Sequence, residues 1–120
     1  MQETYYLNET FYTGKAAWQI LMQSSDKLII VKFVAPHCGS CITLKPVLEQ
    51  LATEYADRLH LVEIDMVEET ELAIALGIRN APTVVLFQQQ QEQARIAGLK
   101  PKKQYLDMVQ QFLGILFSAI

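Results

Sequence analysis

Val31-Lys32-Phe33-Val34-Ala35-Pro36-His37-Cys38-Gly39-Ser40-Cys41 carries the signal from which the rest of this chain can be read. The run Leu28 to Val34 is apolar and rich in Ile and Val, which suits a strand buried on both faces by helices. Pro36 closes it. From Cys41 onward, Leu44, Val47, Leu48, Leu51 and Tyr55 recur at spacings of three and four, the period of a helix with one buried face. Pro46 should bend that helix, since it lacks an N–H and crowds the preceding turn. The two cysteines therefore stand at a strand-to-helix junction, where the first thiol meets unpaired helical N–H groups. A free cysteine titrates near ~8.5, and such surroundings lower it to roughly 3.5–7.5, so that a nucleophilic thiolate exists at neutral pH. One turn further on, Cys41 is placed to attack a mixed disulfide formed at Cys38.

Reading outward, Leu59 to Asp65 alternates apolar and polar residues as a strand does, and a short helix from about Glu68 to Leu76 ends at Gly77. Thr83 to Phe87 gives a further strand. The polar stretch Gln88 to Gln93 reads as a hairpin turn leading into Ala94 to Ala97, and Pro101 opens a final amphipathic helix. Upstream, Ala16 to Met22 is helical in pattern and Thr4 to Leu7 is read as an edge strand. The order β-α-β-α-β-α-β-β-α places the chain in the α/β class, with a central mixed sheet flanked by helices on both faces and right-handed crossovers. No repeat or linker interrupts it. With 120 residues and 51% hydrophobic composition, a single domain over 1–120 with a real core is expected.

Ten basic against 13 acidic side chains give a net charge of −3, which leaves no footprint for nucleic acid or an anionic membrane. Met1 to Glu9 carries acids and tyrosines where an export signal needs a basic start and an apolar run. The expected location is the cytoplasm. In a reducing compartment two cysteines three positions apart are not a permanent staple, which leaves a redox or a metal role. Glu49, Glu54, Asp57, Glu68, Glu69 and Glu71 read as solvated helix faces. Tyr5, Tyr6, Phe11, Tyr12 and Trp18 read as packing residues. Phe112 to Ile120 is apolar but, at nine residues, falls short of the about twenty that a bilayer needs. A monomer is expected, with weak association through that apolar end as the alternative.

The quoted segment resembles the active-site segment of thioredoxins, and the likeness runs through nearly the whole chain. Lys45-Pro46, Val62-Glu63-Ile64-Asp65, Gly77-Ile78-Arg79-Asn80-Ala81-Pro82-Thr83 and Gly98 all match family positions. Leu44-Lys45-Pro46 with Val62-Glu63-Ile64-Asp65 is similar to the thioredoxin domain fused to certain plastid and cyanobacterial NADPH-dependent reductases. The resemblance implies the thioredoxin fold, a cis bond between Ala81 and Pro82, and protein-disulfide oxidoreductase activity through Cys38 and Cys41. It further implies a contact surface for protein disulfide substrates that includes His37, Gly39, Ser40, Ala81, Pro82 and Gly98. A thioredoxin reductase or another electron donor would reset the pair, and neither cofactor nor metal is expected.

Four positions depart from the family. His37 and Val34 replace tryptophans, and an imidazolium beside Cys38 would favour its thiolate. Ser40 replaces the usual proline between the cysteines and restores a backbone N–H. Lys32 stands where the family has a buried acid. A lysine there would accept a proton when neutral, favour a Cys41 thiolate when charged, or reach solvent and act on neither. Two rivals to the oxidoreductase reading follow: a thioredoxin-fold binding module with weak or no reductase activity, and a metal or iron-sulfur site using His37, Cys38 and Cys41.

Overall fold

The computed structural model describes residues 10–114. The strand expected at Thr4 to Leu7 lies outside them, and the first strand described is β1, Phe11–Thr13. There follow α1 (Lys15–Ser24), β2 (Leu28–Val34), α2 (Gly39–Glu54), β3 (Leu59–Asp65), α3 (Thr70–Leu76), β4 (Thr83–Gln88), β5 (Gln91–Ala97) and α4 (Lys102–Leu113). The five strands form one sheet in the order β1-β3-β2-β4-β5. β3 runs parallel to both β1 and β2, while β4 is antiparallel to β2 and β5. The expected mixed sheet is thus present, and the strand leading to the cysteines is its middle member.

Alternation along β2 builds two cores. Leu28 and Ile30 face Leu44, Leu48 and Leu51 of α2 and Tyr105, Met108 and Val109 of α4. Ile29, Val31 and Phe33 face the other way, against Ala17 and Leu21 of α1 and Ala73 of α3. A strand buried on both sides is apolar nearly throughout, and Lys32 is the one charged residue in β2. Phe11 departs from the packing role expected of it: its side chain is 45% exposed, whereas Tyr12 is buried and Trp18 packs on Phe87 with ring centroids 5.6 Å apart. Phe112 packs against the first core, and the rest of the apolar end beyond Gly114 lies outside the described residues.

Element boundaries moved for local reasons. α3 starts at Thr70 rather than Glu68 because the Asp65 carboxylate accepts the N–H groups of Val67 and Glu68, at 2.8 and 3.2 Å, and holds that segment as a turn. Gly77 ends α3 with φ 71, the left-handed position that glycine takes without penalty. β5 begins at Gln91 rather than Ala94, after a two-residue turn in which Gln89 and Gln90 both have positive φ, 53 and 69. Such turns match the twist of hairpin strands, and an exposed polar edge strand gives no hydrophobic alternation to find it by. α2 continues through Pro46 to Glu54. The Arg95 guanidinium reaches back from β5 to the carbonyls of Leu76 and Gly77, at 2.7 and 3.4 Å, and pairs with Glu92 at 2.6 Å.

Tyr105 fastens α4 to the loop after β5. Its hydroxyl donates to the Gly98 carbonyl and accepts the Lys100 N–H, both at 3.1 Å, in a fully buried position. Burial pushes the phenol above its ordinary value of 10.0, against the opposing effect of the Lys100 N–H. An acid held neutral by folding contributes stability below its unfolded pKa and loses it as pH rises through the folded one. Tyr105→Phe is therefore expected to cost about 1–2 kcal/mol at neutral pH through the two lost hydrogen bonds. It should also show a shallower loss of stability above pH 10 than the parent, as read by urea unfolding across pH. Leu44→Ala, at a site with no exposed surface, should cost about 2–5 kcal/mol with an unchanged denaturant slope.

Candidate active site

β2 ends at Val34, and the chain turns through Ala35, Pro36 and His37 before α2 begins at Gly39. His37 makes the turn with φ 58, a left-handed conformation more accessible to histidine than to most side chains. It leaves Cys38 extended, at φ −103 and ψ 102, as the N-cap of α2. Helix caps are usually oxygen side chains that accept an N–H of the first turn. Here the Cys38 sulfur takes that place and accepts the Cys41 N–H at 3.1 Å. α2 thus starts two residues earlier than the apolar periodicity indicates.

Cys38 and Cys41 are joined in a disulfide, with Cα atoms 5.3 Å apart. Their environments differ. Cys38 is half-buried, whereas Cys41 is only 7% exposed, beneath the first turn of the helix. A partner arriving from solvent meets Cys38 first. Gly39 and Ser40 are exposed, and a Cβ added at Gly39 would meet nothing within 4 Å, so room is left beside the sulfur.

The Ala81–Pro82 bond is cis, as the resemblance implied, and the Ala81 carbonyl oxygen lies 3.6 Å from the Cys38 sulfur. Pro82 is buried, and its carbonyl accepts the Gly98 N–H at 2.8 Å. The Pro82 carbonyl is therefore engaged within the fold, and the backbone of Ala81 is what this edge presents beside the sulfur. Gly98 adopts φ 80, which suits glycine, and ties the loop after β5 to Pro82. Thr83 donates its hydroxyl to the Asn80 carbonyl at 2.6 Å and pins the same segment.

A cavity of about 220 Å³ is lined by both cysteines. Val34, Ala35 and Ile42 supply apolar wall, with His37 and Lys45 exposed on its border. Lys32 and Glu63 also line it and form an ion pair, Nζ to Oε1 3.1 Å, with side chains 3% and 41% exposed respectively. Lys32 thus does not reach solvent, one of the outcomes open from sequence. It is buried and paired with a carboxylate on the neighbouring strand, its register partner in the β2–β3 ladder. In the sequence Glu63 is legible only as part of a strand; nothing in its spacing marks it as the partner of Lys32. Tyr105, which fixes Gly98, was likewise hidden in an ordinary helical pattern. Among the described residues no group of three or more His, Cys, Asp or Glu is placed to hold a metal ion.

The sequence matches the family model described as Thioredoxin over residues 9–111. NADPH-dependent thioredoxin reductase 3 of Arabidopsis thaliana is 36% identical over 110 residues, which cover 92% of this chain and 21% of that protein. The chloroplastic M-type thioredoxin of Pisum sativum is 29% identical over 107 residues, 89% of this chain and 62% of that protein. The chain therefore spans about a fifth of the first of these relatives and less than two thirds of the second. The thioredoxin of Haemophilus influenzae is 29% identical over 107 residues, 89% of this chain and 100% of its own length. Among solved structures, thioredoxin NaTrxh from Nicotiana alata superposes with a TM-score of 0.77 at 30% identity, covering 86% of this chain and 92% of that one. With a close-spaced cysteine pair capping a helix beside a cis proline, and a family match over nearly its whole length, the chain belongs to the thioredoxin family.

Proposed function

We propose that this chain is a thiol/disulfide oxidoreductase that exchanges disulfides with protein partners through Cys38 and Cys41. The observation that carries the reading is the Cys41 N–H donated to the Cys38 sulfur at the start of α2. A helix N-terminus stabilises negative charge, so the same contact favours a Cys38 thiolate once the disulfide is reduced. That thiolate attacks one sulfur of a substrate disulfide, forming a mixed disulfide and releasing the other sulfur as a thiolate. Cys41 then loses its proton and attacks the Cys38 sulfur. The intramolecular disulfide forms, the bond to the substrate breaks, and two electrons have passed to the substrate.

His37, Gly39, Ser40, Ala81, Pro82 and Gly98 surround the reacting sulfur as the docking edge in this reading. The pair returns to the dithiol through a thioredoxin reductase or another thiol donor. A reducing compartment such as the cytoplasm suits this cycle, because there the disulfide is a transient state. Fractionation of the source cells with antibody detection tests that location.

The purified, reduced chain should accelerate reduction of insulin disulfides by dithiothreitol, and Cys38→Ser should abolish the acceleration. Cys41→Ser should accumulate mixed disulfides with protein substrates through Cys38, visible on non-reducing gels. A chain that binds partners without accelerating reduction would instead be a binding module. Equal trapping by the reciprocal Cys38→Ser variant would overturn the assignment of roles.

A further inference from the structure

Lys32 is almost wholly buried, lines the cavity that contains Cys41, and meets Glu63 at 3.1 Å. The two members of the pair are placed unequally. Water reaches the Glu63 carboxylate and screens it, whereas the Lys32 ammonium is held inside, where a charge acts on its neighbours through a lower effective dielectric. Of the two charges lining the cavity with Cys41, the Lys32 ammonium is therefore the less screened. We propose that the Lys32–Glu63 pair is a positioning device that favours the Cys41 thiolate in the resolving step, with Glu63 orienting Lys32 and connecting the cavity to solvent.

This rests on the exchange reading above and specifies one step of it. In the mixed disulfide, Cys41 must give up its proton before it attacks. The proton passes to water in the cavity and leaves past the half-exposed Glu63. The new thiolate is held opposite Lys32, then forms its bond to the Cys38 sulfur while the substrate thiolate departs with its electron pair. Other titratable groups around the cavity are Lys45 from α2 and His37 from the preceding turn. An adjoining cavity that also touches Lys32 and Glu63 adds Tyr12 from β1 and Glu49 from α2. Lys45 and His37 are exposed, so Lys32 is the cation least screened from Cys41.

The test uses the reduced chain and an aromatic disulfide whose thiol product is coloured. The first equivalent of colour reports attack by Cys38, and the second reports displacement by Cys41. Lys32→Met should leave the uncompensated Glu63 carboxylate beside the cavity, and the double variant Lys32→Met/Glu63→Gln should leave no charge at either position. The pH midpoint of the second phase should rise in the order parent, double variant, Lys32→Met. The first phase should stay within about twofold of the parent. Because rate follows thiolate fraction but intrinsic nucleophilicity partly offsets it, each unit of midpoint shift slows the second phase near neutral pH by about three- to fourfold. Lys32→Arg should restore the parent midpoint. Superimposable second phases, or the reverse order, in variants with a normal first phase would overturn this proposal while leaving the exchange reading intact. Absence of a first phase in the parent would overturn the exchange reading itself.

Discussion

A sulfur atom caps the second helix, and the site depends on that hydrogen bond. Because the Cys38 sulfur receives the Cys41 N–H, the geometry that begins α2 is also the geometry that draws the two cysteines together. An N–H that would otherwise lack an intrahelical partner is satisfied by a group that would carry charge as a thiolate. Helix initiation and thiolate stabilisation thus draw on one contact. The turn before it, with His37 in a left-handed conformation, sets the angle at which the sulfur meets the helix axis.

The sheet keeps that contact in place from below and from the side. β2 is buried on both faces and flanked by β3 and β4, so its end at Val34 has little freedom to move. β4 begins immediately after Pro82, which brings the Ala81 carbonyl beside Cys38 from the opposite chain direction. Gly98 then bonds Pro82, and Tyr105 bonds Gly98. A chain of hydrogen bonds therefore runs from α4 in the first core, through the loop after β5, to the backbone that faces the disulfide.

The fold was legible where hydrophobic pattern is strong. β2, β3, β4 and the apolar face of α2 carry long runs with a clear period, and the structure places them as expected. The errors fall where other forces decide. α3 starts late because a side chain, Asp65, competes for backbone N–H groups. β5 starts early because main-chain pairing alone builds a polar edge strand. At the site, the cysteines were readable from their spacing, and the cis proline and Gly98 only through the family resemblance. Glu63 was not, since its pairing with Lys32 exists only through the register of two parallel strands 31 positions apart. Phe11 is exposed because, in a three-residue strand, it is Tyr12 that turns toward the core.

The tight bend formed by Gln89 and Gln90 joins the far end of β4 to β5, six residues along the sheet from the proline that faces the disulfide. Both side chains project from an already positive-φ loop into solvent, and neither is buried in either core. A fluorophore attached at this loop, or an inserted peptide tag, would report on the tumbling of the whole sheet while leaving partner access to the sulfur unobstructed. The hairpin tip is in that sense a natural handle, remote from the disulfide.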